Sequence, residues 1–83
     1  MDTTFDLVRN ILVAYLGVEP ERVRMESRLM EDLEATQLSF TQILIRVESQ
    51  FNIQIPDGAS ANLHAVGDLV NYVDSQVASS GTS

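Results

Sequence analysis

The sequence predicts an all-α fold, a small bundle of three main helices with one short extra helix. Three segments repeat their apolar residues at helical spacing, and long or Pro- and Gly-containing stretches separate them. The chain has 83 residues, 45% of them hydrophobic, which suits one domain with one packed core. We assign residues 1–77 to this domain. The tail 78–83, ASSGTS, is expected to be disordered because its residues are small and polar.

The first predicted helix spans residues 4–16. Its apolar face consists of Phe5, Val8, Ile11, Leu12, Tyr15 and Leu16. Thr3 or Thr4 can cap its start, and Asp6 lies in the first turn, where a negative charge is favourable. Gly17 is a natural end, because glycine readily adopts the left-handed conformation that follows a helix.

The loop 17–35 is unusually long, and loops of this length in compact domains are often functional. Its spaced apolar residues are expected to hold it against the core: Val18, Val23, Met25, Leu29 and Leu33. A short helical turn is expected at 21–23, after Pro20. The loop is long enough for the second helix to run either parallel or antiparallel to the first.

The second helix is predicted at 36–50, with the hydroxyl of Thr36 as the N-cap acceptor. Its apolar face is predicted to contain Leu38, Ile43, Leu44, Val47 and Phe51. Residues 51–58 alternate apolar and polar, but a lone strand would have no partner. We therefore predict an extended connector, with Ile53 and Ile55 pointing inward.

The last part of the chain contains a short predicted helix at 59–63 and the third main helix at 64–77. The apolar face of this helix is Val66, Leu69, Val70 and Val73. Gly67 weakens its first turn, since glycine is about 1 kcal/mol less favourable than alanine in a helix. The preceding PDG, at 56–58, predicts a turn and not a calcium loop.

The composition limits the possible partners. The net charge is −7, from 12 acidic residues and five basic ones, all arginine, so a nucleic acid is an unsuitable partner and a basic protein surface a suitable one. Solubility alone would explain the charge equally well. No apolar run reaches the roughly 18 residues of a membrane span. The acidic start, MDTTFD, is unlike a signal or transit peptide, so we expect a cytoplasmic protein.

The residues also limit the possible chemistry. The chain contains no cysteine, which excludes disulfides and a catalytic thiol. His64 is the only histidine, and no acids accompany it at ligand spacing, so we expect no metal site and interpret His64 as solvated. The acids at 31–34 are interpreted as a solvated loop. Since no phosphate-binding glycine loop or Ser–His–Asp arrangement is present, we predict that the chain is not an enzyme.

Three stretches together resemble the acyl carrier protein family, over about residues 4–77. They are LGVEPERV (16–23), EDLEATQLSFTQILIRVESQFNIQIPD (31–57) and AVGDLVNYV (65–73). The resemblance implies the family's helical fold and a place in fatty-acid, polyketide or related biosynthesis. In that family, the serine of an Asp-Ser-Leu motif at the start of the second helix carries phosphopantetheine, whose thiol holds acyl groups.

The resemblance places Thr36-Gln37-Leu38 at this motif, with Gln37 where the family has its serine. A carboxamide is not the oxygen nucleophile that a phosphodiester requires, so we expect no prosthetic group at Gln37. Ser39 lies two residues on, about 200° around the helix, and Thr36 is a bulkier alcohol already used as a cap. Modification at Thr36 or Ser39, in an atypical functional carrier of a dedicated pathway, is the alternative, and a relic without a selected role is a third.

The resemblance also implies that the second helix binds partners, through acids that pair with basic enzyme surfaces. We predict that the partner-binding residues are Leu38, Phe40, Thr41, Gln42, Ile45 and Glu48. Among the outward positions only Glu48 is acidic, while Arg46 is basic. Partial burial is expected for Phe40, and exposure for Ile45. We interpret the chain as a monomeric interaction or regulatory module that binds a biosynthetic enzyme or synthase subunit and has no cofactor.

Overall fold

The structure, a computed structural model, describes residues 3–80. Its elements are α1 (Thr4–Leu16), a 3₁₀ turn (Pro20–Arg22), α2 (Gln37–Phe51), α3 (Asp57–Ser60) and α4 (Val66–Ser80). Within the described residues, the strand-like pairing consists of one isolated bridge, between Arg28 and Ala65. The predicted all-α fold, with three main helices, one short helix and a long first loop, is confirmed.

Local signals set the limits of α1. The Thr3 hydroxyl accepts the N–H of Asp6 at 3.2 Å, and the Asp6 carboxylate accepts the N–H of Thr3 at 3.1 Å, which makes a reciprocal capping box. The Thr3 backbone N–H, the Thr3 hydroxyl and the Arg9 guanidinium hold the pKa of Asp6 below its usual value. At the other end, Gly17 has φ 67° and its N–H donates to Val13. Both limits agree with the prediction.

The core draws on all three main helices and on the loop between α1 and α2. Its buried members are Val8, Ile11, Leu12, Val23, Leu29, Leu33, Phe40, Ile43, Val47, Ile55, Leu63, Val66, Leu69, Val70 and Val73. The predicted role of the loop is confirmed for Val23, Leu29 and Leu33, each at most 3% exposed. The loop is therefore part of the packed interior.

Three residues that were expected to face the core are exposed instead. Leu38 is 68% exposed because it lies about 200° around α2 from the buried Phe40. Tyr15, near the end of α1, lies on the rim of the groove between α1 and α2 and is 44% exposed. Met25 is 40% exposed, and its backbone carbonyl accepts the N–H of Gly67.

The limits of the last two helices also differ from the prediction. The short helix begins at Asp57, because Pro56 is extended and the turn after it is already helical. α4 begins at Val66, since Asp68 accepts the N–H groups of His64 and Ala65, each at 3.1 Å, in front of the helix. α4 continues to Ser80, three residues beyond its predicted end. The rest of the tail, 81–83, lies outside the described residues.

The loop and the first turn of α4 hold each other through backbone hydrogen bonds. Val66 donates to the carbonyl of Ser27 at 2.8 Å, and Gly67 donates to that of Met25 at 2.7 Å. These N–H groups belong to the first turn of a helix, where no partner exists within the helix itself. The buried Ser27 hydroxyl supports this bend of the loop by accepting from the Arg24 N–H at 3.0 Å. We call this set of contacts the loop–α4 clamp.

The clamp requires glycine at position 67. A Cβ atom built on Gly67 would lie 2.9 Å from the carbonyl oxygen of Met25, closer than real Cβ contacts come. We predict that Gly67→Ala lowers the free energy of unfolding by about 1–3 kcal/mol, as overpacking does, despite the better helix propensity of alanine. Urea unfolding followed by circular dichroism measures the change.

Gly58→Ala is the matched control, because nothing lies within 4 Å of its added Cβ. This variant should be neutral or more stable by up to about 1 kcal/mol. Equal stabilisation by the two alanines would show that the contact with Met25 does not constrain the fold.

Candidate functional site

The site that the sequence predicted lies at the start of α2. Gln37 is the first residue of the helix, and its side chain is exposed. It borders an open cleft of about 500 Å³ between the loop, the start of α2 and the α3 region. Phe40 and Leu63 supply apolar walls, and Arg28 and His64 also border this cleft. Gln37 is thus accessible from solvent.

The two hydroxyls near Gln37 are bonded to each other at the helix start. The Thr36 hydroxyl accepts the N–H of Ser39 at 3.1 Å and donates to the Ser39 hydroxyl at 3.0 Å. Thr36 is therefore the N-cap of α2, as predicted. The Thr41 hydroxyl, one turn further, donates to the Gln37 carbonyl at 3.0 Å. Each of these side-chain oxygens has a structural partner.

Four of the six predicted partner-binding residues share one exposed face of α2. Leu38 and Ile45 are 68% and 59% exposed and lie about 20° apart around the helix. Thr41 and Gln42 lie between them along the helix and are exposed as well. We call Leu38, Thr41, Gln42 and Ile45 the outer face of α2. Its two large apolar side chains form a short ridge.

The other two predicted residues do not belong to the outer face. Phe40 is only 8% exposed and packs in the core, which agrees with the burial expected for it. Glu48 is half-buried, and its carboxylate accepts the N–H of Ile55 at 2.6 Å. Sequence reasoning missed this bond, because the partner is a backbone group in the connector.

The two charged residues of α2 differ in their exposure to solvent. Glu48, the only acidic residue of α2, is half-buried and accepts the Ile55 N–H with one carboxylate oxygen, while Arg46 is exposed. Exposed acids occur in the preceding loop, where Glu31 pairs with Arg28 at 3.1 Å and Asp32 accepts the Arg28 N–H at 2.8 Å. The acidic character of the chain is therefore greatest outside α2.

The backbone that leads into α2 has an unusual conformation at Glu34. This residue has φ 59°, in the left-handed region that favours glycine. The following Ala35 is buried, and its N–H donates to the carbonyl of Leu29 at 2.9 Å. The fold on both sides of Glu34 therefore fixes it in this conformation. Nothing in the residue type indicated it.

Other predicted features of the chain can be located as well. His64 is exposed, as expected for a solvated residue. Among the described residues no three His, Cys, Asp or Glu side chains come together as metal ligands. None of the helices within residues 3–80 is both long and apolar enough to span a membrane.

Comparison with known proteins identifies the family of the chain. The family described as "Phosphopantetheine attachment site" matches residues 6–73. An acyl carrier protein of Campylobacter curvus is 40% identical over 70 residues, which cover 84% of this chain and 91% of the relative. One of Wolinella succinogenes is 39% identical over 70 residues, covering 84% and 92%.

The chain belongs to the phosphopantetheine attachment family and is similar to acyl carrier proteins, so the resemblance seen in the sequence is confirmed. Acyl carrier proteins are non-catalytic carriers that interact with biosynthetic enzymes. In agreement with the sequence prediction, this chain is not an enzyme.

The cap geometry makes Thr36 structurally important. We predict that Thr36→Ala lowers the free energy of unfolding by about 1 kcal/mol, because the N–H of Ser39 loses its acceptor. Thr36→Asn should remain within a few tenths of a kcal/mol of the original chain, since asparagine caps equally well. Urea unfolding of both variants measures the difference.

Thr41→Ala, which removes a solvent-exposed hydroxyl from the second turn of α2, is the control and should change the free energy of unfolding by less than about 0.5 kcal/mol. A cost for Thr36→Ala no larger than this would contradict the capping role.

The left-handed backbone conformation of Glu34 leads to a second prediction about stability. Glu34→Gly should be more stable than Glu34→Ala by about 1 kcal/mol, because only glycine adopts this conformation without steric cost. At the exposed Glu26, where φ is not positive, the order should reverse, since glycine gains more freedom than alanine on unfolding. Thermal unfolding of the four variants tests both orders. The same order at both positions would contradict a backbone constraint at Glu34.

Proposed function

We propose that this chain is an acyl-carrier-like protein without a prosthetic group, which serves fatty-acid, polyketide or related biosynthesis as an interaction or regulatory module. The observation that carries the proposal is the chemistry at the start of α2. An exposed carboxamide stands at Gln37, and the hydroxyls of Thr36 and Ser39 are engaged in the helix cap.

These residues do not fit covalent attachment of phosphopantetheine. A phosphodiester forms when an alcohol oxygen attacks the pantetheine-bearing phosphorus of coenzyme A and loses its proton, while the diphosphate bond breaks and adenosine 3′,5′-bisphosphate leaves. The oxygen of Gln37 belongs to a carboxamide, which accepts hydrogen bonds but has no hydroxyl proton to lose. In this proposal, α2 begins where the family's attachment site would lie, but Gln37 supplies no oxygen nucleophile there.

The alternative function is an atypical carrier that is loaded at Thr36 or Ser39. Modification would remove the Thr36 hydroxyl proton, and with it the hydrogen bond that Thr36 donates to the Ser39 hydroxyl. Ser39 is half-buried, and its oxygen accepts the Thr36 hydroxyl at 3.0 Å. The hydrogen bonds of both residues disfavour the alternative function. Variants that remove one of the two hydroxyls test it.

The proposed partner is a biosynthetic enzyme or synthase subunit that contacts the outer face of α2. The support is the exposure of Leu38 and Ile45 on the same face. We propose a monomer, in which this ridge is free to contact the partner. We propose that the protein acts in the cytoplasm, where its biosynthetic partners would be found.

Intact mass spectrometry after incubation with coenzyme A and a broad-specificity phosphopantetheinyl transferase tests the function directly. The original chain should gain no mass, while an established acyl carrier protein in the same tube gains one phosphopantetheine. Gln37→Ser should gain one as well, because it supplies the missing oxygen nucleophile.

Loading of the original chain would overturn the proposal and support the alternative. Thr36→Asn and Ser39→Ala would then locate the site, because each removes one hydroxyl. Thr36→Asn does so while keeping the cap. Peptide mapping of the loaded product provides an independent assignment. Failure of Gln37→Ser to load would show that residues beyond position 37 also exclude the transferase.

A further inference from the structure

Arg46 differs from the other arginines of the chain in its surroundings. Arg9 and Arg28 form ion pairs with Asp6 and Glu31, at 3.3 and 3.1 Å. Arg22 and Arg24 donate to backbone carbonyls of the loop, at 2.7 and 3.4 Å. Within the described part of the chain, Arg46 alone has no such partner, and it is exposed. Its guanidinium is therefore available to a second molecule.

Arg46 lies where a docking partner would meet it. It follows Ile45 directly and lies about 80° around α2 from Leu38, at the edge of the apolar ridge. It also borders a groove of about 260 Å³ between α1 and α2. Asn10, Gln50 and Tyr15 border the same groove, so its lining is uncharged apart from Arg46.

The charge of this region opposes the charge of the whole chain. The net charge of −7 attracts cationic surfaces at long range. At contact distance, however, the outer face of α2 contains no carboxylate, because its four residues are uncharged. Glu48, the acidic residue of the helix, is half-buried, and one of its carboxylate oxygens accepts the Ile55 N–H. The nearest available charge on the helix is the guanidinium of Arg46. A cationic enzyme surface would be attracted first and then opposed where it docks.

We propose that Arg46 determines partner specificity at the outer face of α2. It disfavours a cationic docking surface and favours a protein surface that places a carboxylate at the groove between α1 and α2, with an apolar depression for Leu38 and Ile45. Uncharged donors at Asn10 and Gln50 suit the same carboxylate. This inference rests on the proposed function and names the kind of partner that the function requires.

The experiment measures loading in a Gln37→Ser background, with coenzyme A and a broad-specificity phosphopantetheinyl transferase whose docking surface is cationic. Arg46→Gln and Arg46→Glu are added singly. We expect kcat/KM to rise in the order Arg, Gln, Glu, with about a fivefold total gain at low salt, the effect of an exposed charge contact. The gain should shrink at about 1 M salt, where the Debye length is only about 3 Å.

Arg24→Gln and Arg24→Glu, made in the same background, are the matched controls. They change the net charge by the same amounts, but Arg24 lies on the loop and not on α2. These variants add the same long-range attraction without changing α2, so they should raise kcat/KM by less than the matching Arg46 variants. Circular dichroism of every variant verifies that the helices are intact.

Loading of the Arg46→Glu variant when Gln37→Ser alone does not load would support the proposal most strongly. Equal gains from the Arg24 and Arg46 series would overturn it, because net charge would then explain the effect. Absence of loading in every folded variant would also overturn it, since Arg46 would not be the barrier. Loading of the chain with Gln37 intact would instead disprove the proposed function. The Arg46 and Arg24 series, made in that chain, would still test the specificity.

Discussion

The position of the start of α2 depends on how the first turn of α4 obtains its hydrogen-bond partners. Its N–H groups at Val66 and Gly67 donate to carbonyls of the loop, not to side chains. A helix start that lacked these acceptors would bury unsatisfied donors, which is strongly unfavourable. The loop is thereby fixed some forty residues earlier in the chain. Leu29 and Leu33, which precede α2 in the chain, then pack into the core.

The start of α2 follows from the fixed loop. The backbone has to turn from the buried Leu33 into the helix within a few residues, and it does so through the left-handed conformation of Glu34. Thr36 and Ser39 then complete the first turn of α2 with their hydroxyls. The oxygens nearest to Gln37 are therefore part of the helix start. Both hydroxyls thus have a role in the structure of the helix start.

Local patterns predicted much of the fold, because caps and glycine stops act within a few residues. The Thr36 cap and the Gly17 stop fall where the sequence placed them. The clamp was not predictable in the same way, since it joins backbone atoms of distant segments. Gly67 even resembled a weak point of α4, although the close approach of Met25 requires it. The prediction that Leu38 faces the core is wrong, because Leu38 lies about 200° around α2 from the buried Phe40.

The exposure of the charged residues of α2 also could not be predicted from composition, because it depends on contacts between distant segments. The sequence contains one acidic and one basic residue in α2, which suggests a neutral surface. The fold separates them, because the connector after α2 returns its Ile55 N–H to Glu48 and leaves Arg46 in solvent. The fold therefore leaves the basic residue of α2 more exposed than the acidic one. In a chain of net charge −7, the local charge opposes the overall field, and the contact surface sets partner choice once the field has brought a partner close.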